Sequence, residues 1–120
     1  METKRQKQLG QDIQRILARA FTDELKDVLQ GAFVTVADVK LTPDLMTARA
    51  YITVFEKQKE RLVLSSMHEN LSRLRGVVGN RLKNKVRRIP TIEVFLDHSL
   101  QKVFEIENLL KNGTGNNEEE

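Results

Sequence analysis

The 120 residues include 20 lysines and arginines against 17 acids, 39% hydrophobic but only 5% aromatic side chains, and no cysteine. A chain of this length builds one core and not two; the core must be mostly aliphatic, and the missing thiols exclude a disulfide framework, thiolate metal sites and cysteine nucleophiles. No apolar run approaches the roughly 20 residues that cross a bilayer, and Met1 to Lys7 lacks the apolar centre of a secretory signal, so a cytoplasmic protein is expected.

The net charge of +3 understates the folded body, because Glu118, Glu119 and Glu120 sit in an acidic, low-complexity end. A basic body calls for an acidic partner. Nucleic acid ranks ahead of membrane, since no aromatic-flanked amphipathic anchor is present.

In chain order, residues 1–10 read as a flexible basic arm carrying Lys4, Arg5 and Lys7. From Gln11 the spacing of Ile13, Ile16, Leu17, Ala20, Phe21, Leu25, Val28 and Leu29 predicts a helix that ends near Gly31. Val34, Thr35, Val36 and Val39 then predict a first strand over 32–41. The alternation of Ala48, Ala50, Ile52 and Val54 predicts a second over 47–55. Thr42-Pro43-Asp44 between them is a turn signal, so the two strands form an antiparallel hairpin. The inward period slips between Val36 and Val39, which marks a bulge.

After Glu56 the period becomes helical through Leu62, Leu64, Met67, Leu71 and Leu74. The stretch from Lys57 to Lys85 is one long helix or two with a break, placed either at Gly76 and Gly79 or at Asn70-Leu71-Ser72. Pro90 stops it and turns Ile89 extended. Ile92, Val94 and Leu96 alternate as a third strand. Asp97-His98-Ser99 caps a last helix with Val103, Ile106, Leu109 and Leu110. Residues 11–111 form the domain, and 112–120 an acidic tail without structure of its own. The order α-β-β-α-break-α-β-α implies an α+β layer.

Between Glu69 and Glu93 the chain has bases and no acid: Arg73, Arg75, Arg81, Lys83, Lys85, Arg87 and Arg88. Leu71, Leu74, Val78, Leu82 and Val86 share one helix face, so the bases project mainly round the other. A solvated helix face would usually mix signs; composition alone leaves that reading level with an anion-binding surface.

Arg87-Arg88-Ile89-Pro90-Thr91-Ile92-Glu93-Val94-Phe95-Leu96-Asp97-His98-Ser99, followed by Ile106 and Leu109-Leu110, resembles the C-terminal signature of the ribosome-binding factor A family. Val34-Thr35-Val36, Val39, Leu41-Thr42-Pro43-Asp44-Leu45 and Ala48-Arg49-Ala50-Tyr51-Ile52 resemble that family's hairpin, and the likeness runs from about Lys4 to Lys111. It implies a KH-like domain of the bacterial (type II) arrangement and a monomeric, non-enzymatic factor without cofactor. Its partners would be the small (30S) ribosomal subunit and its 16S rRNA during late maturation and rRNA processing, with a role in growth in the cold. The RNA-binding residues would be Lys4, Arg5, Lys7, Arg73, Arg75, Arg81, Lys83, Lys85, Arg87 and Arg88. The sequence departs from the family at Thr91, usually acidic, at Val94, usually aromatic, and at Asn70-Leu71-Ser72, which replaces an Ala-x-Gly kink.

Other features read as structural. Gly76-Val77-Val78-Gly79 spells the Gly-x-x-G of KH clamps, but two central valines suit a core, so a helix interruption is expected there rather than a clamp. His68 and His98 lack partners at metal-ligand spacing. Asp23, Glu24 and Asp27 surround Lys26 without a nucleophile and read as a solvated face. Tyr51 and Phe55 share a strand face, and packing under a helix is the expected fate of such rings. Two other functions remain open: a general nucleic-acid-binding regulator that shares the basic face, or a protein-interaction adaptor that instead uses Val77 and Val78 or the last helix as an apolar surface.

Overall fold

A computed structural model describes residues 2–97. His98, the expected last helix and the tail over 112–120 lie outside them. Helix α1 (Lys4–Ala20) leads through a 3₁₀ turn (Lys26–Leu29) to strands β1 (Val34–Leu41) and β2 (Thr47–Val54). Helices α2 (Glu60–Glu69) and α3 (Leu71–Leu82) follow, then strand β3 (Thr91–Leu96). The sheet order is β1-β2-β3, with β1 antiparallel and β3 parallel to the central β2. This is the α+β, KH-like arrangement expected.

Alternation fixes which way each strand faces. Val34, Val36, Val39 and Leu41 of β1, Ala48, Ala50, Ile52 and Val54 of β2, and Ile92 and Val94 of β3 are buried on one face. Against it lie Ile13 and Leu17 of α1, Val63 and Met67 of α2, and Leu74, Val78 and Leu82 of α3. The bulge falls where the inward period slips: Val36 pairs with Ile52 and Asp38 with Tyr51, leaving Ala37 over.

Helix α1 runs along the outer edge of β1. Three of its residues, one helical turn apart, face that strand's backbone. The Gln6 amide donates to Leu41 O at 2.8 Å, and the Gln14 amide to Val36 O at 2.9 Å and Ala37 O at 3.3 Å. Between them a Cβ on Gly10 would stand 2.5 Å from Val39 O, so only glycine lets the helix approach this closely.

The helix begins earlier than the spacing of its apolar residues predicts. Residues 4–10, read as part of a flexible arm, are its first turns. Thr3 Oγ1 accepts from Gln6 N–H and Gln6 Oε1 accepts from Thr3 N–H, a reciprocal cap, and Leu9 buries beside Ile13.

It also ends earlier, at Ala20 rather than near Gly31. Thr22 Oγ1 donates to Arg19 O at 2.8 Å, and Leu25 N–H to Ala20 O at 2.8 Å, closing the chain into a turn. Phe21, Leu25 and Val28 stay buried after the turn, so the three-and-four spacing carries on across a helix that has stopped. Gln30 (φ 54°) and Gly31 (φ 77°) then swing the chain into β1.

The break between α2 and α3 falls at Asn70, the second of the two expected places. Asn70 Nδ2 donates to Ser66 O at 2.7 Å while its own carbonyl starts α3 by accepting from Leu74 N–H. Gly76 and Gly79 therefore do not interrupt the helix; both sit inside α3.

Candidate nucleic-acid interface

The segment joining α3 to β3 is built to hold its shape. After Leu82, whose carbonyl accepts from Lys85 N–H and Val86 N–H, the chain passes through Arg87 and Arg88 to a fully buried Pro90. Arg75 of α3 fastens its far end, donating to Ile89 O at 2.9 Å and Pro90 O at 3.3 Å. Ile89 packs over Gly79, where a Cβ would meet its side chain at 3.5 Å. Thr91 N–H then donates to Met46 O, joining the segment to the hairpin turn. Beside it, Ser72, Arg75, Gly76, Gly79, Asn80 and Ile89 line an open groove of about 350 Å³.

The ten bases assigned from sequence divide into two sets. Three are occupied within the fold. Arg73 grips Asp27 and also donates to Glu24 O and Asn70 Oδ1. Arg81 reaches Glu24 Oε2 at 3.3 Å, and Arg75 has the carbonyl partners just described. Glu24 and Asp27 are exposed, as a solvated face would be, and each is also an ion-pair partner. Sequence spacing missed this because it carried the first helix through them, whereas the turn at Ala20 folds them back over α3.

The other seven, Lys4, Arg5, Lys7, Lys83, Lys85, Arg87 and Arg88, are exposed and have no carboxylate partner among the described residues. They stand on two segments. Gln6 bonds Leu41 O, Leu41 pairs with Ala48, and the neighbouring Thr47 pairs with Thr91. Arg87 and Arg88 thus lead into the sheet end whose other edge holds Gln6 of α1, while Lys83 and Lys85 follow Arg81, which reaches Glu24 beyond the far end of α1. Three cations on the first turns of a helix, with no acid in the first turn, oppose the macrodipole at a cost of a few tenths to about 1 kcal/mol each. They do not serve the helix; they add to its positive potential and so favour an anion in front of it.

The hairpin turn beside them is a self-contained structure. Thr42 Oγ1 donates to Asp44 Oδ1 at 2.6 Å and Met46 N–H donates to the same oxygen at 3.0 Å, holding the Asp44 carboxyl below the usual carboxylate range. His68 Nε2 lies 3.3 Å from Val94 O of β3. Among the described residues no three histidines or acids converge as a metal site would require. Val78 is fully buried and Val77 packs against the core, which removes the apolar surface an adaptor would have used there. No described helix is long and apolar enough to cross a membrane.

Among the described residues, Tyr51 and Phe55 do not pack under a helix. Both point from the outer face of the sheet: Phe55 is exposed beside Phe33, and Tyr51 stacks on Phe95. The helices already fill the inner face with aliphatic side chains, leaving the odd-numbered positions of β2 outside.

Relatives share this organisation. A ribosome-binding factor A from Roseiflexus sp. is 38% identical over 112 residues, spanning 91% of this chain and 83% of that protein. One from Christiangramia forsetii is 30% identical over 111 residues, spanning 92% of this chain and 85% of that protein. The crystal structure of ribosome-binding factor A from Thermus thermophilus superposes with a TM-score of 0.64 at 23% identity, over 76% of this chain and 94% of that one. A homology model of Thermus thermophilus ribosome-binding factor A, as fitted into the cryo-EM map of a 30S complex with that factor, gives a TM-score of 0.63 at 24% identity, over 78% of this chain and 96% of that one. The family model for ribosome-binding factor A matches residues 5–110. With its hairpin, its broken helix pair and its signature proline all in place, the chain belongs to the ribosome-binding factor A family.

Proposed function

We propose that this protein binds the small ribosomal subunit through 16S rRNA during late maturation and rRNA processing, and that Lys4, Arg5, Lys7, Lys83, Lys85, Arg87 and Arg88 make the contact. One observation carries the reading: seven of the ten assigned bases are exposed and have no carboxylate partner among the described residues, so their charge is available to an anion. Each that neutralises a phosphate releases condensed counterions, so binding is steeply salt-dependent. The Arg75 brace and buried Pro90 hold Arg87 and Arg88 in place before binding, which reduces the ordering cost.

No chemical step is needed. A factor that binds one rRNA conformation better than another shifts the population of assembly intermediates by that difference in affinity. This suits a monomeric, cytoplasmic protein that supports growth in the cold, where misfolded rRNA escapes slowly. The Thermus thermophilus protein fitted into a 30S map supports the choice of partner.

The test is co-sedimentation of Arg87→Glu/Arg88→Glu with small subunits. Both side chains are exposed and have no carboxylate partner among the described residues, so the variant keeps its circular dichroism and loses subunit binding; undiminished binding would overturn the site.

A further inference from the structure

Arg73 and Arg81 belong to the acid-free basic stretch, yet both are engaged inside the molecule by one short turn. Glu24 stands between them: its carbonyl accepts from Arg73 Nη2 at 3.2 Å, and its carboxylate accepts from Arg81 Nη2 at 3.3 Å. Asp27 completes the arrangement by taking Arg73 with both carboxylate oxygens, at 2.8 and 3.0 Å. A carboxylate bound in this way occupies the same fork of guanidinium N–H groups that a phosphate would.

The turn that presents these acids is anchored. Phe21, Leu25, Val28 and Leu29 are buried in the core, while Glu24 and Asp27, spaced between them, are exposed. Both pairs face solvent, with Arg73 and Arg81 themselves partly exposed, so they lie within reach of a polyanion.

Stability is a weak reason for the arrangement. Exposed ion pairs contribute little, and the apolar anchors already fasten the turn to the core. What the acids change is the potential. Without them α3 would present Arg73 and Arg81 unpaired, in the same stretch of chain that runs on into Lys83, Lys85, Arg87 and Arg88. With them, a phosphate that displaced either carboxylate would leave an uncompensated negative charge beside itself, and like charges repel.

We propose that Glu24 and Asp27 act as an internal stand-in for phosphate, masking a second RNA-phosphate site formed by Arg73 and Arg81 on α3. The mask confines the RNA contact to the other bases and holds affinity below what the arginines of α3 would otherwise give. This rests on the RNA-binding reading and extends it to two residues that the reading leaves out.

The test uses the full chain and a 16S rRNA transcript, titrated at several salt concentrations. Glu24→Gln/Asp27→Asn removes two charges and keeps two amide oxygens as acceptors, so the fold holds by circular dichroism. The slope of log affinity against log salt steepens by about 2, one for each unmasked arginine. The affinity lost between about 50 and 200 mM salt grows about tenfold. In an Arg73→Ala/Arg81→Ala background the same two acid substitutions leave the slope where it was. Asp27→Asn and Glu24→Gln singly, each steepening the slope by about 1 and each reversed by Arg73→Ala or Arg81→Ala respectively, give the same answer should the double variant unfold. An unchanged slope in the acid variants overturns the mask. So does a gain that persists without the two arginines, which would reduce the effect to overall charge. A parent chain that binds the transcript with no salt dependence overturns the RNA reading itself and the mask with it, whereas a salt-dependent parent with unmoved variants overturns the mask alone.

Discussion

Arg73, in the first turn of α3, holds both carboxylate oxygens of Asp27, at 2.8 and 3.0 Å. The contact ties the turn after α1 to the helix that follows the Asn70 break, and it keeps the Asp27 carboxyl below its ordinary value and the Arg73 guanidinium above its own. A carboxyl depressed in the folded state adds stability above its unfolded pKa, and that stability is lost as pH falls through the folded value. Asp27→Asn should therefore lose less stability than the parent between about pH 5 and pH 2. Urea midpoints across that range check it, with a modest difference because the pair is exposed.

Gly10→Ala sets two effects against each other. Alanine favours a helix interior over glycine by about 1 kcal/mol, but its Cβ would stand 2.5 Å from Val39 O, a backbone atom that cannot step aside. Packing wins, and the variant should be less stable by about 1–3 kcal/mol in urea unfolding.

Gly76→Ala gives the opposite sign. A Cβ there meets nothing within 4 Å, so the substitution should stabilise by about 0.5–1 kcal/mol. Thermal unfolding separates the two glycines, which a sequence-level rule would treat alike.

Gln6 does two jobs with one amide: Oε1 completes the cap with Thr3, and Nε2 donates to Leu41 O. Glutamate serves the cap equally well in ordinary helices but has no N–H to offer the strand. Gln6→Glu should cost about 1–3 kcal/mol by denaturant unfolding at neutral pH, since it leaves a buried carbonyl facing a carboxylate.

The two sets of bases should separate by salt dependence. Lys83→Ala/Lys85→Ala is expected to lower the slope of log affinity for an rRNA fragment against log salt by about 2, one per phosphate contact. Arg81→Ala, whose guanidinium is already engaged by Glu24, should leave that slope nearly unchanged. Titrations at several salt concentrations compare them.

Much of the fold was legible because it rests on period and punctuation. Alternation identified all three strands, Thr42-Pro43-Asp44 the hairpin, and the phase slip after Val36 the bulge. What stayed hidden involved contacts between distant residues. The stripe from Ile13 to Leu29 reads as one helix because Phe21, Leu25 and Val28 keep helical spacing across a turn made by hydrogen bonds. That error concealed the carboxylates that occupy Arg73 and Arg81. An acid-free stretch shows that bases lack neighbours of opposite sign along the chain, not across space. The Asn70 break was visible as one of two options, and only the Ser66 carbonyl and the start of α3 decided it.

Gln6, Gly10 and Gln14 occupy the side of β1 where another strand would otherwise add. A mutation that detaches α1 would thus do more than loosen the core. It would bare a row of hydrogen-bonding groups on a valine-rich strand, an open template for chain-to-chain growth, so the failure mode of this domain is polymerisation as much as unfolding.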